Sequence, residues 1–273
     1  MKRLNWLRFG LPAVMACCLC SLALRPVSGA EVPNKKEILA QARQAYYSLR
    51  DRGLTEFQAN VQPNWQRVLK DLIASNPAGA EAALKMLNGI HFTVSLGPSG
   101  AVKVTHREDV TPTEAKAKEG FSQIFSGMEQ ALSGFFDSWS PFMLTSPFPS
   151  ADGDYQLEEV EAQYHLSYKE GNAAIATAMS KDLVISEIKV ASPTFNSTIR
   201  PQFAKSAQGF LLVGYEAEYQ GTSEGVSVTL HVQIENQEVS ALQLPRKLNL
   251  NGSYQNSPFD MELTFSNYEV KRR

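Results

Sequence analysis

The sequence predicts an α+β fold whose main element is one large antiparallel sheet. Two observations carry that prediction. From Tyr155 onward apolar and polar residues alternate with period two almost throughout, giving each strand one apolar and one wetted face. Ahead of Tyr155 the apolar residues recur instead at spacings of three and four in several segments, the mark of amphipathic helices. No repeat, low-complexity tract or linker divides residues 31–273, so a single domain is expected there.

Residues 1–30 read as an export signal. Lys2, Arg3 and Arg8 form a basic start, Phe9 to Leu24 carries no charge, and Ser28-Gly29-Ala30 places small residues before Glu31. The uncharged run of 16 residues falls short of the roughly 20 that span a bilayer. Two processing routes fit: cleavage before Glu31, or lipidation of Cys17 in the lipobox-like run Val14-Met15-Ala16-Cys17. Cys17, Cys18 and Cys20 all lie in this segment, so a chain starting at Glu31 must stand on its core without disulfides. That pattern favours a bacterial envelope, with the protein periplasmic or secreted. Removing residues 1–30 leaves 22 basic against 28 acidic side chains, a balance of −6. Such a balance disfavours nucleic acid and anionic lipid surfaces, which attract basic patches, and leaves at most a peripheral membrane role.

The elements follow in order. Residues 34–52 read as a helix capped by Asn34, with Ile38, Ala42, Ala45, Tyr46 and Leu49 on one stripe and Gly53 ending it. Leu54 to Val61 alternates as a strand with Phe57, Ala59 and Val61 on one face. Asn64 opens a short helix with Trp65, Val68, Leu69 and Leu72 inward, and Asn76-Pro77 opens a second that Gly89 closes. Ile90 to Arg107 forms a hairpin around Gly97-Pro98-Ser99-Gly100, with positive φ required at Gly100. Its expected register pairs Leu96 with Val102, Val94 with Val104 and Phe92 with His106.

The strongest helix signal starts at Thr111-Pro112 with Glu114, a cap, an N1 proline and a capping-box glutamate. Phe121, Ile124, Phe125, Met128, Leu132, Phe135, Phe136 and Trp139 follow on one broad stripe. An apolar, proline-rich loop then runs from Pro141 to Pro149. Four strands are read beyond it, around Val160–Tyr168, Leu211–Tyr219, Val226–Ile234 and Phe259–Phe265, with turns at Glu170-Gly171-Asn172, Gln220-Gly221 and Asn236-Gln237.

The search for chemistry is short. The four histidines lie in no zinc pattern, and the hairpin register sends His91 and His106 to opposite faces. No nucleophile elbow, phosphate loop or dinucleotide glycine pattern occurs, so no cofactor is expected. Glu158, Glu159 and Glu161 cluster, but Glu159 and Glu161 fall on the outward face of a strand and read as solubilising charge. A non-enzymatic protein is expected. The informative feature is the aromatic-rich helix with its central Met128, a residue suited to adaptable surfaces. It reads either as an ordinary core helix or as a lid that shapes an apolar cavity.

The helix followed by Leu54-Thr55-Glu56-Phe57-Gln58-Ala59-Asn60-Val61, the meander of long strands, and the closing Leu248-Asn249-Leu250-Asn251-Gly252 and Met261 to Val270 together resemble the periplasmic lipoprotein-carrier superfamily, the LolA/LolB-like proteins. The resemblance implies an unclosed antiparallel β half-barrel covered on its concave face by amphipathic helices, with helical insertions at about 64–89 and 111–140. It further implies that lipid, or the acyl chains of a lipidated partner, lie between sheet and helices. Phe121, Phe125, Met128, Leu132, Phe136 and Trp139 are the expected ligand-binding residues. The alternative is a structural or assembly protein of the envelope with a filled core and a protein-binding face.

Overall fold

The computed structural model describes residues 30–31, 34–109, 115–222 and 226–273. The expected signal before Ala30, with Cys17, and the helix cap Thr111-Pro112 with Glu114 lie outside them. A two-residue strand β1 (Ala30–Glu31) is followed by helix α1 (Lys35–Ala45) and strand β2 (Leu54–Pro63). Three short helices come next: α2 (Trp65–Val68), α3 (Lys70–Ser75) and α4 (Pro77–Leu87). The hairpin β3 (Ile90–Leu96) and β4 (Val102–Glu108) leads to the long helix α5 (Ala115–Met143). The remainder is β5 (Tyr155–Val160), β6 (Gln163–Glu170), β7 (Ala173–Ser180), β8 (Ile185–Ala191), β9 (Phe195–Ser206), β10 (Gly209–Gly221), β11 (Ser227–Val239), β12 (Leu242–Tyr254) and β13 (Ser257–Arg272).

All these strands form one antiparallel sheet. β5 to β13 run as a meander, and β13 then pairs with β2, so the N-terminal strands extend the sheet past the C-terminal one in the order β13-β2-β3-β4. The sheet does not close: β4 is one edge, and β5, flanked by β1, is the other. The chain therefore has to travel from edge to edge between β4 and β5, and α5 makes most of that journey. Its ring contacts follow the strand order. Phe125 meets His106 of β4 and Phe92 of β3, and Phe136 meets Phe57 of β2 and Phe265 of β13. Ser138 then reaches Tyr219 of β10, and Phe142 meets Phe203 of β9. β4 to β9 is seven strand steps, roughly 34 Å at about 4.8 Å each. The 29 residues of α5 supply about 43 Å at 1.5 Å per residue, so one helix suffices.

The hairpin has the expected register, with Leu96 opposite Val102, Val94 opposite Val104 and Phe92 opposite His106, and Gly100 has φ +85°. Asn64 caps α2 through Arg67 N–H and Asn76 caps α4 through Gly79 N–H, as their positions predict. The inward phases of β2, β11 and β13 also hold, with Phe57, Ala59, Val61, Val232, Ile234, Leu263 and Phe265 buried.

Six expectations are corrected. Asn34 stands at the start of the first helix, but its side chain makes no capping bond; its carbonyl accepts from Ile38 N–H instead. The first helix ends at Ala45, not near residue 52, because Tyr46 turns extended and its hydroxyl accepts from Ile185 N–H and donates to Leu183 O, while Tyr47 N–H donates to Phe210 O. Those long-range bonds replace the helical ones. The strand read through Val160 and Tyr168 is two strands, β5 and β6, joined at Glu161-Ala162, both with positive φ. The turn read at Asn236-Gln237 is a register shift inside β11; the chain reverses at Ser240-Ala241, and Asn236 Nδ2 donates to Leu212 O. Gln220-Gly221, read as a turn, is still strand, with Gln220 opposite Ser227 and Gly221 N–H donating to Val226 O. Finally, the segment read as loop from Pro141 continues α5 to Met143, with proline in the last turn.

Candidate functional site

The six expected ligand-binding residues do fall on one side of α5, and that side faces the sheet. Phe121, Met128, Leu132, Phe136 and Trp139 are buried, the last three at 0% exposure, and Phe125 is half-buried. They belong to one continuous core with the inward residues of β2, β3, β9, β10, β12 and β13. Phe136 packs edge-on against Trp139 at 5.5 Å and against Phe265 at 6.2 Å. The row is thus filled along its middle. Trp139 Nε1, a group that can only donate, is buried there without an acceptor.

The inner face of the sheet continues to the margin of its cover, where Tyr219 bonds to Ser138 of α5 and Tyr168 Oη donates to Pro147 O. Tyr168, Ile175 and Val190 stand directly opposite one another across β6, β7 and β8, and Ser197, Tyr219 and Val228 carry the same row across β9, β10 and β11. Leu166 and Thr177, two residues along on the same face, are fully buried; in the row itself Ser197 is buried, whereas Tyr168, Ile175, Val190, Tyr219 and Val228 are half-buried. Partial burial still pushes the Tyr168 hydroxyl up to about 12, with Glu170 adding to it. This row was not singled out from the sequence, since period-two alternation shows which face a residue takes but not where along the strand the cover stops.

A separate cleft of about 220 Å3 opens where the end of α1 meets the end of α5. Arg43, Tyr46, Tyr47, Ser48 and Asp51 line it from one side and Phe142, Thr145, Ser146 and Pro147 from the other. Tyr46 forms its floor and packs edge-on against Phe148, Phe203 and Phe210 at 5.1–5.4 Å. Burial pushes the Tyr46 hydroxyl well up. In the sequence Arg43 falls in mid-helix and nothing singles it out; it lies in the last turn only because α1 ends at Ala45.

The histidines stay apart. His91 pairs outward with Asp109, Nε2 to Oδ2 at 2.9 Å, and its hydrogen bond lowers the Asp109 carboxyl. His106 stacks on Phe125, and His231 lies 3.6 Å from Glu216. Among the described residues no group of three or more histidine, cysteine or acidic side chains could hold a metal. Glu159 is engaged by Lys181, whose ammonium also lies over the Tyr164 ring. Among the described residues no helix is long and apolar enough to cross a membrane. Comparison with family models, with curated proteins and with solved structures found no match.

Proposed function

We propose that this protein is a non-enzymatic binding protein of the bacterial envelope, which takes lipid or the acyl chains of a lipidated partner between α5 and the concave face of an unclosed half-barrel. The observation that carries the reading is the half-buried row of Tyr168, Ile175, Val190, Tyr219 and Val228. It adjoins the buried Leu166 on the same face, so a chain that displaced the cover along this row would reach the core beneath α5. Two features of α5 support it. Trp139 leaves a buried donor unpaired, which costs about 1–3 kcal/mol and is relieved by any acceptor oxygen an entering ligand brings. Gly120 and Gly134 lie inside the helix with no neighbour within 4 Å of where a Cβ would stand, so they weaken the helix with no packing reason.

A second reading has its own observation. The complete burial of Leu132, Phe136 and Trp139 fits a structural or assembly protein whose core is permanently filled. The two readings part on Phe136→Ala, since Phe136 of α5 is fully buried. Truncating a phenylalanine in a locked core costs about 3–5 kcal/mol. A lid, drawn from the low-stability end of a structure, loses clearly less and instead weakens fatty-acid binding. Unfolding free energy and fatty-acid affinity are measured on the same variant. Full destabilisation with no binding by the wild type leaves only the structural reading.

A further inference from the structure

The cleft between α1 and α5 is polar where the rest of the inner surface is apolar, and it holds a guanidinium short of partners. Among the described residues Arg43 makes one hydrogen bond, Nη2 to Phe148 O at 3.5 Å, which is the outer limit for such a bond. Its Nε is buried with no partner at all, and among the described residues no carboxylate pairs with it. Arginine carries five N–H donors in a planar fork that fits a carboxylate or phosphate two bonds at a time. The hydroxyls of Ser48 and Ser146 also line the cleft; each accepts a backbone N–H, from Asp51 and Phe148, and keeps its own proton to donate. Underneath lies the Tyr46–Phe148–Phe203–Phe210 cluster, joined to Phe142 of α5 through Phe203. Polar walls over an aromatic floor suit an amphiphile. The cleft's 220 Å3 is several times the ~30 Å3 share of one water, room for a head group and its first carbons but not for a long chain.

We infer that this cleft binds the oxyanion head, carboxylate or phosphate, of an amphiphilic ligand, with Arg43 as its cation. The inference rests on the apolar-chain reading above for the fate of the tail, and it adds the chemical class of the head. A head held here touches both the last turn of α1 and the chain leaving α5, which Leu49 N–H to Met143 O at 2.8 Å already joins. Asp51 also lines the cleft, and its carboxylate opposes an anion. Arg43 and Asp51 must therefore act on affinity in opposite directions.

Isothermal titration of the wild type, Arg43→Gln and Asp51→Asn with decyl phosphate, decanoate, decanol and inorganic phosphate tests this. The wild type is expected to bind the two acidic amphiphiles about tenfold or more tighter than decanol, the scale of one charge-assisted bidentate contact. Arg43→Gln should abolish that preference while decanol binding persists, and Asp51→Asn should strengthen binding of the acidic pair alone. Equal binding of decanol and the acids, unchanged by either variant, overturns the head-group inference and leaves the apolar-chain reading standing. Arg43-dependent binding of inorganic phosphate with no gain from a decyl chain supports the oxyanion site, assigns it to the free ion and removes the apolar-chain reading. Should Arg43→Gln not fold, the Asp51→Asn result decides alone, and no gain for the acids there overturns the inference.

Discussion

The His106 ring lies stacked on the Phe125 ring, centroids 3.6 Å apart and planes 18° from parallel. His106 is on the edge strand of the sheet and Phe125 on the first half of α5, so this pair fastens the helix where it has least sheet beneath it. An aromatic pair contributes about 0.5–1.5 kcal/mol beyond its buried area. His106→Ala should therefore raise amide exchange in the α5 turns around Phe125 while leaving exchange in β12 and β13 unchanged. Hydrogen–deuterium exchange resolves the two regions; equal effects in both would show that the stack holds nothing local.

The helix glycines give a gain rather than a loss. A Cβ at Gly120 or Gly134 meets nothing within 4 Å, and neither position has positive φ. Gly120→Ala and Gly134→Ala should each stabilise the protein by about 0.5–1 kcal/mol, since alanine is the better helix former and restricts the unfolded chain. If α5 must loosen to admit a ligand, the double variant should also bind fatty acid more weakly. Urea denaturation and a binding titration on the same sample check both halves.

Gly100 is required by its backbone. It sits at φ +85° in the β3–β4 loop, and a Cβ there would stand 3.4 Å from Leu144 Cδ2. Gly100→Val should cost about 1 kcal/mol or more, because a β-branched residue is strained at that φ. A variant with unchanged urea midpoint would contradict the turn assignment.

Acid stability should depend on Arg67. It pairs with Asp260 and, at 3.4 Å, with Glu262, anchoring α2 to β13. The hydrogen bond from Arg67 holds the Asp260 carboxyl below its ordinary range, and Lys247 first, with Asn64 and Arg67 adding, does the same for Glu262. A carboxyl depressed in the folded state contributes stability above its unfolded pKa, near 4, and loses it as pH falls through the folded value. Arg67→Ala should thus cost about 0.5–1 kcal/mol at pH 7, the size of a partly exposed pair, and progressively less as pH falls below 4. Urea midpoints from pH 7 down to pH 2.5 measure the convergence; a constant offset would mean the loss is packing, not charge.

Much of this architecture is legible in the residues, and the failures have physical causes. The β3–β4 hairpin could be read to the residue because Pro98 and Gly100 fix the loop and the buried face then fixes the register. The two-residue turns at Glu161-Ala162, Ser240-Ala241 and Gln255-Asn256 could not, because they take positive φ without glycine. Long strands on either side impose that conformation, and the local sequence gives no sign of it. Tyr46 continues the helical stripe in sequence, yet bonds from it and Tyr47 to β8, β10 and the start of β12 pull this segment out of the helix. The aromatic row of α5 was legible as a stripe. How tightly it is packed, where the open row begins and what Arg43 faces depend on how distant strands curve past the helix, which no local pattern encodes.

The central claim is that α5 is a lid and not a fixed part of the core. Native-state hydrogen exchange measured against low urea tests it most directly, by comparing opening free energies of α5 amides from Phe121 to Trp139 with those of β12 and β13. A lid predicts that α5 opens in a separate step at clearly lower free energy than the sheet, and that decanoate shifts that step while leaving sheet exchange in place. Exchange of α5 only through global unfolding, together with β12 and β13 and indifferent to decanoate, would contradict it.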